Sequence, residues 1–479
     1  MSATEQRSDG SGTAKCSVGS SRFPSFWNWC NMTGRVITFS VVALLAIVAS
    51  LGSVNARKGY GSGEQDWGFV DVRTGAHMFY WLYYTTANVT SYTERPLAIW
   101  LQGGPGASST GYGNFEELGP LKLDGSYRDW TWVKDMNVMF IDNPVGSGFS
   151  YVDGSSYYTT NNKQIALDLV ELMKGFYTNH PEFKTVPLHI FCESYGGKMA
   201  PEFALELYYA IQRGEIESNF VSVALGDPWT SPIDSVLSWA PFLLQLGIVD
   251  QDGHDKIEAS ALKTKDYVDR EKWTTATLQW SSTQSVVLRE SKGVDFYNVE
   301  TPTLGDTSKL MARAAMTPEQ IMYRTLVKFD VDEDRDQLLE DLMLGPVTEA
   351  LGINTGVKWG GQSGTTFTKL MGDFMKPAVD IVGELLNNTT VKVGVFSGGL
   401  DLICATPGAV NWIADMEWND KASYLAASRV GITVDRVLEG YEKTAGNFSM
   451  FWVNRAGHMV PADNPAAMSH ILREFTNFG

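Results

Sequence analysis

The sequence predicts an α/β protein, in which helices cover both faces of a largely parallel β-sheet. Strands that are buried on both faces read as near-continuous apolar runs, and several β-rich runs occur in the first half of the chain. They are HMFYWLYYTT (77–86), LAIWLQ (97–102), NVMFID (137–142), LHIFC (188–192) and VSVALGD (221–227). Helical patterns at 161–181 and 198–214 lie between the later runs, where parallel strands require crossover connections.

A mostly helical insertion interrupts this pattern. Residues 231–364 have helical patterns with few strand-like runs, and a long amphipathic helix is predicted at 368–388. Two more buried strands then follow, at 391–398 and 447–454. Because the sheet resumes after the insertion, we interpret the insertion as a helical cap on an α/β core. The core then comprises residues 57–230 and 365–479.

Length and charge restrict the class of protein. A chain of 479 residues with 44% hydrophobic content can bury a large core. Its net charge of -17 and its isoelectric point near 4.8 mean that it lacks the basic surface that binds a phosphate backbone. We therefore exclude nucleic acid as a partner and expect an acidic globular protein.

Residues 1–56 have the features of a leader. An uncharged apolar run at 36–51 follows Arg35 and precedes small residues that end at Ala56, an order typical of a secretory signal peptide. A start at Met32 would give a leader of ordinary length, and a retained signal anchor is the alternative. We expect cleavage, and no membrane association of the mature chain. Four candidate glycan acceptors follow, at Asn88, Asn387, Asn388 and Asn447.

A serine stands at the junction between a predicted strand and a predicted helix. The strand LHIFC leads into Glu193-Ser194-Tyr195-Gly196-Gly197, and the helical pattern begins directly afterwards. This order predicts a nucleophile elbow, a tight turn that raises a serine hydroxyl above the sheet. Cys192 occupies the position where the G-x-S-x-G pattern has glycine, so an incidental turn is the alternative interpretation.

An acid and a histidine follow the last two predicted strands. Asp401 lies just after 391–398, and His458 just after 447–454. Serine, aspartate and histidine in this order, each at the carboxyl end of a strand, indicate the α/β-hydrolase fold. The remaining histidines are interpreted as surface or packed residues: His77, His180, His189, His254 and His470.

Backbone donors for a substrate oxyanion are predicted next to the strand at 97–102. Gly103, Gly104 and Gly106 leave the backbone accessible to a carbonyl oxygen, although a glycine-rich turn without a ligand is the alternative. The acidic segment 330–341 resembles a calcium loop, but Arg335 replaces the required glycine and Asp341 the bidentate glutamate. We expect a solvated helix start there, and no metal or cofactor.

Six ordered motifs resemble those of the serine carboxypeptidases. They are WLQGGPGASS, NFEELGP, IDNPVGSGFSY, CESYGGKMAPEFA, SGGLDLIC and AGHMVPADNPA, spread from residue 100 to 466. ESYGGKMAP, DPWTSPIDSVLSWAPFL and DFMKP make the chain most similar to the retinoid-inducible group of that family. The resemblance covers nearly the whole chain after the leader.

The resemblance implies a role for each matching residue. Ser194 would be the nucleophile, His458 the general base and Asp401 the partner of the histidine. The backbone N–H groups of Gly104 and Tyr195 would form the oxyanion hole. The remaining assignments are Gln102, Gly103, Glu193 and Glu117 for the C-terminal carboxylate of the substrate, and Met459 for the S1′ side.

Glu193 beside a nucleophile then has a physical explanation. Two close carboxyl groups do not ionise together easily, and the one that keeps its proton can donate a hydrogen bond to a carboxylate substrate. An acidic pH optimum follows. The chain also departs from the family: Ala107 replaces a disulfide cysteine found in many relatives, and Gln102 replaces asparagine. A Cys192–Cys404 disulfide is one alternative that the sequence leaves open.

We therefore predict a serine-type carboxypeptidase, lysosomal, vacuolar or secreted, that releases C-terminal residues of peptides at acidic pH through an acyl-enzyme. An acyltransferase with the same triad is one alternative. A non-catalytic protective or binding partner protein is the other. The oligomeric state stays open, with a homodimer among the alternatives.

Overall fold

The computed structural model describes residues 58–302, 333–354 and 356–477. These residues belong to one compact unit. The predicted leader, residues 1–56, lies outside the described residues.

Eleven strands of the described chain form one sheet. They are β1 (Gln65–Arg73), β2 (Ala76–Tyr83), β3 (Leu97–Leu101), β4 (Asn137–Ile141), β5 (Tyr151–Val152), β6 (Pro187–Glu193), β7 (Asn219–Gly226), β8 (Lys392–Gly398), β9 (Val430–Val434), β10 (Val437–Ala445) and β11 (Phe448–Val453). Their order is β1-β2-β4-β3-β6-β7-β8-β11-β10-β9, and β5 pairs with β2.

The six central strands are parallel to one another, and in sheet order they are β4, β3, β6, β7, β8 and β11. The strands outside them pair antiparallel. The carboxyl ends of parallel strands meet at one edge of a sheet, where open α/β sheets bind their ligands. β6, β8 and β11 all end at this edge. The topology therefore brings together the segments that follow these three strands.

Helices connect the strands and cover the sheet. They are α1 (Asn162–Asn179), α2 (Gly196–Gln212), α3 (Pro232–Gln245), α4 (Gln251–Asp269), α5 (Trp273–Glu290), α6 (Glu333–Leu342), α7 (Thr348–Leu351), α8 (Gly364–Phe374), α9 (Val379–Asn388), α10 (Thr406–Asp415), α11 (Lys421–Ala426), α12 (Val460–Asp463) and α13 (Pro465–Thr476). Two wider, π-type turns span Ser109–Leu118 and Met343–Val347. Single turns of 3-10 helix occupy Tyr92–Glu94, Trp132–Lys134, Ser155–Tyr157 and Pro181–Thr185.

Side chains of the central strands alternate between two buried apolar clusters. In β3, Leu97 and Ile99 belong to the cluster that includes α1 and α2, while Ala98 and Trp100 belong to a second cluster on the other face. All four are fully buried. This period of two confirms that the sheet is covered on both sides, as the apolar runs predict.

The predicted helix at 368–388 is wrong as one element, because the chain forms α8 and α9 with a break at Pro377. Proline has no backbone N–H and clashes with the preceding turn of a helix. The next residue, Ala378, donates its N–H to Thr230 O at 2.8 Å instead.

The insertion between β7 and β8 is helical in the described residues, which contain α3 to α9 there. The boundaries of the cap at 231 and 364 stay a prediction. Residues 330–332 of the acidic segment lie outside the described residues, and Glu333–Leu342 is helical. No helix of the described chain is long and apolar enough to cross a membrane.

Candidate active site

Ser194 lies in the turn between β6 and α2. Its backbone has a φ of +59°, a conformation that residues with a Cβ rarely adopt. The Ser194 N–H donates to Gly226 O at 2.9 Å, and its carbonyl accepts from Gly197 N and Trp229 N, both at 2.8 Å. These bonds hold the strained turn, and the half-buried side chain lies at the carboxyl edge of the sheet.

Small residues let the neighbouring backbone approach this turn. A Cβ on Gly103 would lie 2.5 Å from Ser194 Cβ and 2.9 Å from Tyr195 N, so only glycine fits. Gly104 has a φ of +107°, which also favours glycine. The glycine loop after β3 therefore lies against the turn that contains Ser194.

Cys192 and Cys404 are both buried and unbonded, so the disulfide alternative is wrong. A Cβ on Gly196 would lie 2.7 Å from Cys192 Cβ. The turn therefore accommodates the cysteine because the residue packed against it is glycine.

Asp401 and His458 form a buried hydrogen-bonded pair. His458 Nδ1 lies 2.8 Å from Asp401 Oδ2, and both side chains are 0% exposed. Since a carboxylate accepts, Nδ1 carries the proton and Nε2 is left as the acceptor. Nε2 has no hydrogen-bond partner among the described residues. The His458 backbone N–H donates to Tyr297 O at 2.7 Å, which fixes the loop after β11.

The thiol of Cys404 lies beside this pair. Asp401, Cys404 and His458 each have one possible ligand atom, and these three atoms lie within 4.8 Å of one another. Burial and the nearby carboxyl groups of Asp401 and Asp227 raise the pKa of Cys404 well above its usual value. The thiol is therefore neutral in this arrangement, and Asp401 is already used by His458.

Gln102 joins two buried glutamates. Its Nε2 donates to Glu193 Oε1 at 2.8 Å and to Glu117 Oε1 at 3.0 Å. Its Oε1 accepts from Trp100 Nε1 at 2.7 Å, which assigns the orientation of the amide. The structure thus brings Gln102, Glu117 and Glu193 together, as the resemblance to the family implies.

Glu193 keeps its proton to a higher pH than Glu117 does. Burial raises the pKa of Glu193 well above its usual value, and the neighbouring Glu117 carboxyl raises it further. Burial also raises the pKa of Glu117, but hydrogen bonds from Glu193 and Gln102 oppose the effect. The proton therefore lies on Glu193, and Glu117 accepts its hydrogen bond.

Tyr195 is anchored by an ion pair that sequence reasoning missed. Its hydroxyl donates to Asp373 Oδ2 at 3.1 Å, and Lys198 Nζ lies 3.1 Å from the same oxygen. Asn162 Nδ2 also donates to this oxygen, at 2.6 Å. Burial lowers the pKa of Lys198 to about 8. The available signal was a lysine within the buried pattern of α2, four residues after the serine.

The other predicted residues are Met459 and the four candidate glycan acceptors. Met459 directly follows His458 and is half-buried. The four candidate glycan acceptors, Asn88, Asn387, Asn388 and Asn447, are all exposed.

Comparison with known proteins agrees with this geometry. A family model described as serine carboxypeptidase matches residues 57–478. Retinoid-inducible serine carboxypeptidase of Homo sapiens is 41% identical over 418 residues, which cover 86% of this chain and 92% of the human protein. Serine carboxypeptidase-like 51 of Arabidopsis thaliana is 33% identical over 457 residues, which cover 93% and 99%.

A solved structure also shares the fold. Kex1(delta)p, described as a prohormone-processing carboxypeptidase from Saccharomyces cerevisiae, superposes with a TM-score of 0.72 at 20% identity, covering 87% of this chain and 91% of the yeast chain. The predicted α/β-hydrolase fold and the predicted similarity to the retinoid-inducible group are both confirmed. Since the family model spans nearly everything after residue 56, this chain belongs to the serine carboxypeptidase family and is a serine-type carboxypeptidase.

Proposed function

We propose that Ser194, His458 and Asp401 carry out the peptidase reaction of this chain. The observation that carries the proposal is the buried pair in which Asp401 holds His458 Nδ1 while Nε2 has no hydrogen-bond partner among the described residues. Nε2 would take the Ser194 proton as the hydroxyl attacks the last peptide carbonyl. It would then pass that proton to the leaving amine, and water would hydrolyse the acyl-enzyme.

The oxyanion of the tetrahedral intermediate would bind to Gly104 and Tyr195. What supports this is the close approach of the glycine loop to Tyr195, since a Cβ on Gly103 would lie 2.9 Å from Tyr195 N, together with the anchoring of Tyr195 by Asp373. Donors that are held in place before reaction stabilise developing charge most effectively.

The C-terminal carboxylate of the substrate would bind at Gln102, Gly103, Glu193 and Glu117. A protonated Glu193 can donate a hydrogen bond to a carboxylate, whereas an ionised Glu193 would repel it. Glu193 is protonated below its raised pKa, so affinity is present at acidic pH and is lost as the pH rises. Met459, next to His458, would contact the side chain of the departing residue.

We further propose that the chain acts on peptides in the secretory pathway, in a lysosomal or vacuolar compartment or after secretion. The signal-like order of residues 35–56 and the exposed acceptor asparagines support this location. It also supplies the acidic or extracellular conditions in which a carboxypeptidase of this kind meets free C-termini.

A panel of N-blocked dipeptides tests the activity. Release of the C-terminal amino acid is measured from about pH 4 to about pH 7. We expect release that is fastest at the acidic end, and no release from the matching C-terminal amides at that end, because they lack the carboxylate. Dipeptides that stay intact at every pH would contradict the proposal.

Replacing Glu193 with glutamine tests the carboxylate site. Glutamine donates a hydrogen bond at every pH, so KM should no longer rise with pH. We expect KM of the wild type to increase about tenfold per pH unit above the pKa of Glu193, and KM of Glu193→Gln to stay within about threefold. KM is measured for one dipeptide across the same pH range.

The exposed Glu258→Gln serves as the matched control, since Glu258 lies on the surface of α4. It should reproduce the wild-type profile. An equal rise of KM in wild type and Glu193→Gln would show that another group governs the pH dependence.

A further inference from the structure

Asp227 is a buried acid that the proposed mechanism does not use. It directly follows β7, the neighbour of β8, and its side chain is 0% exposed. Its φ of +38° is unusual for a residue with a side chain, and its N–H donates to Phe396 O of β8 at 2.8 Å. The chain therefore directs a carboxyl group toward the end of the strand that precedes Asp401.

Only one oxygen of the Asp227 carboxyl group accepts hydrogen bonds from the described residues. Oδ1 accepts from Ser397 Oγ at 3.0 Å and from Gly398 N at 2.9 Å. Oδ2 is buried and has no donor among the described residues. Asp401 lies three residues beyond Gly398, and its N–H bonds to Gly398 O at 3.2 Å. The Asp227 and Asp401 carboxyl groups therefore follow the ends of two neighbouring strands, and Asp401 is the charged group with the largest effect on Asp227.

Two facing carboxyl groups form a hydrogen bond only when one of them carries a proton. Asp401 Oδ2 already accepts from His458 Nδ1, and Oδ1 accepts a 3.3 Å bond from Cys404 N. Asp401 is thus committed as an acceptor, and the shared proton belongs to Asp227. Burial first, and then the charge of Asp401, raise the pKa of Asp227 well above its usual value.

We propose that Asp227 is a positioning residue, whose protonated carboxyl donates a hydrogen bond to Asp401 and so fixes the orientation in which Asp401 holds His458. This inference rests on the proposed role of Asp401 and His458. It gives Asp401 a third donor, beside the histidine and the long bond from Cys404. Carboxyl groups after two adjacent strands, β7 and β8, thus support one imidazole.

The arrangement has its own pH dependence. The titratable groups that face Asp227 are Asp401, the Cys404 thiol and Glu193; Ser397 and Phe396 of β8 are neutral. When Asp227 ionises at high pH, the donor is lost and a second negative charge faces Asp401. Serine reactivity should then fall by a route independent of Glu193 and of substrate carboxylate binding.

A fluorophosphonate probe tests this, because it reacts with an activated serine and carries no C-terminal carboxylate. The second-order labelling rate of the whole protein is measured from about pH 4 to about pH 9 for wild type, Asp227→Ala and Asp227→Asn. At acidic pH we expect Asp227→Ala to label about 10–100 times more slowly than wild type. Asp227→Asn, whose amide donates at every pH, should restore labelling to within about threefold, and its rate should not fall at the alkaline end. Substitutions of the exposed Asp435 in the β9–β10 turn are the matched controls.

Folding of each variant is checked by its circular dichroism melting curve. A folded Asp227→Ala that labels at the wild-type rate would overturn the proposal. So would an alkaline fall in Asp227→Asn identical to that of wild type, and this comparison decides the case if the alanine variant does not fold. If the dipeptides stay intact but labelling depends on Asp227, only the proposed peptidase function is refuted. If the wild type releases dipeptide residues normally and the Asp227 variants label like wild type, only this inference is refuted. Absence of labelling at Ser194 at every pH would refute both.

Discussion

Ser194→Ala is expected to reduce kcat for release of a C-terminal residue by about 10⁴–10⁶-fold, with KM changed by less than about threefold. Alanine keeps the shape of the turn but removes the oxygen that forms the acyl-enzyme. The carboxylate site and the oxyanion donors remain, so substrate should still bind. Steady-state kinetics with a blocked dipeptide at acidic pH, and titration with the fluorophosphonate probe, measure the effect.

Ser428→Ala is the matched control, because Ser428 is exposed and lies outside the site. It should behave as wild type in both assays. A Ser194→Ala protein that keeps more than about one hundredth of wild-type kcat would contradict the assignment of the nucleophile. The variant also separates catalysis from a protective or binding role, since such a role would survive the substitution.

Asp401→Asn is expected to lower kcat by about 10⁴-fold, again with a small effect on KM. In the wild type, His458 Nδ1 donates its proton to Asp401 Oδ2, and the two atoms lie 2.8 Å apart. An asparagine amide that presents its NH₂ group there would favour the other tautomer, in which Nε2 carries the proton and cannot accept one from Ser194. The kcat for dipeptide release and the probe labelling rate should fall in parallel, because both reactions need His458 as the base.

Asp435→Asn is again the control: it is the same chemical change in an exposed turn, at a residue with a φ of +48° that asparagine tolerates. Rates within about twofold of wild type are expected for it. A decrease in kcat of less than about tenfold for Asp401→Asn would show that Asp401 does not determine the tautomer of His458. Asp227 would then be the candidate for that acid.

The central strands were predictable because their composition is extreme. β4 and β6 are apolar on both faces, and helical patterns separate the runs, so fold class followed from periodicity. β9 and β10 were not predicted. Their exposed residues at the sheet edge, such as Val430 and Val437, leave no clear apolar alternation. The break between α8 and α9 was visible as Pro377, but the amphipathic pattern on both sides of it outweighed the proline.

The proposed site was predictable to the extent that each residue occupies a recognisable place in the chain. Ser194, Asp401 and His458 each follow a buried strand, and Gln102, Glu117 and Glu193 lie in the quoted motifs. The networks of Asp227 and of Asp373 with Lys198 were not found. Their partners are separated by 170 residues or more in each case, as in the bonds of Ser397 to Asp227 and of Lys198 to Asp373, and no local pattern records such pairs.

The sequence by itself determined the fold class, the order of the functional segments and the chemistry of each side chain, because periodicity, glycine positions and residue type are local properties. The tertiary structure decided which protons are held and where. A carboxyl group keeps its proton according to burial and to the charges that face it, and both depend on how β6, β7 and β8 lie side by side. Glu193 beside Glu117, and Asp227 beside Asp401, become proton-sharing pairs only when the sheet brings the ends of its strands together.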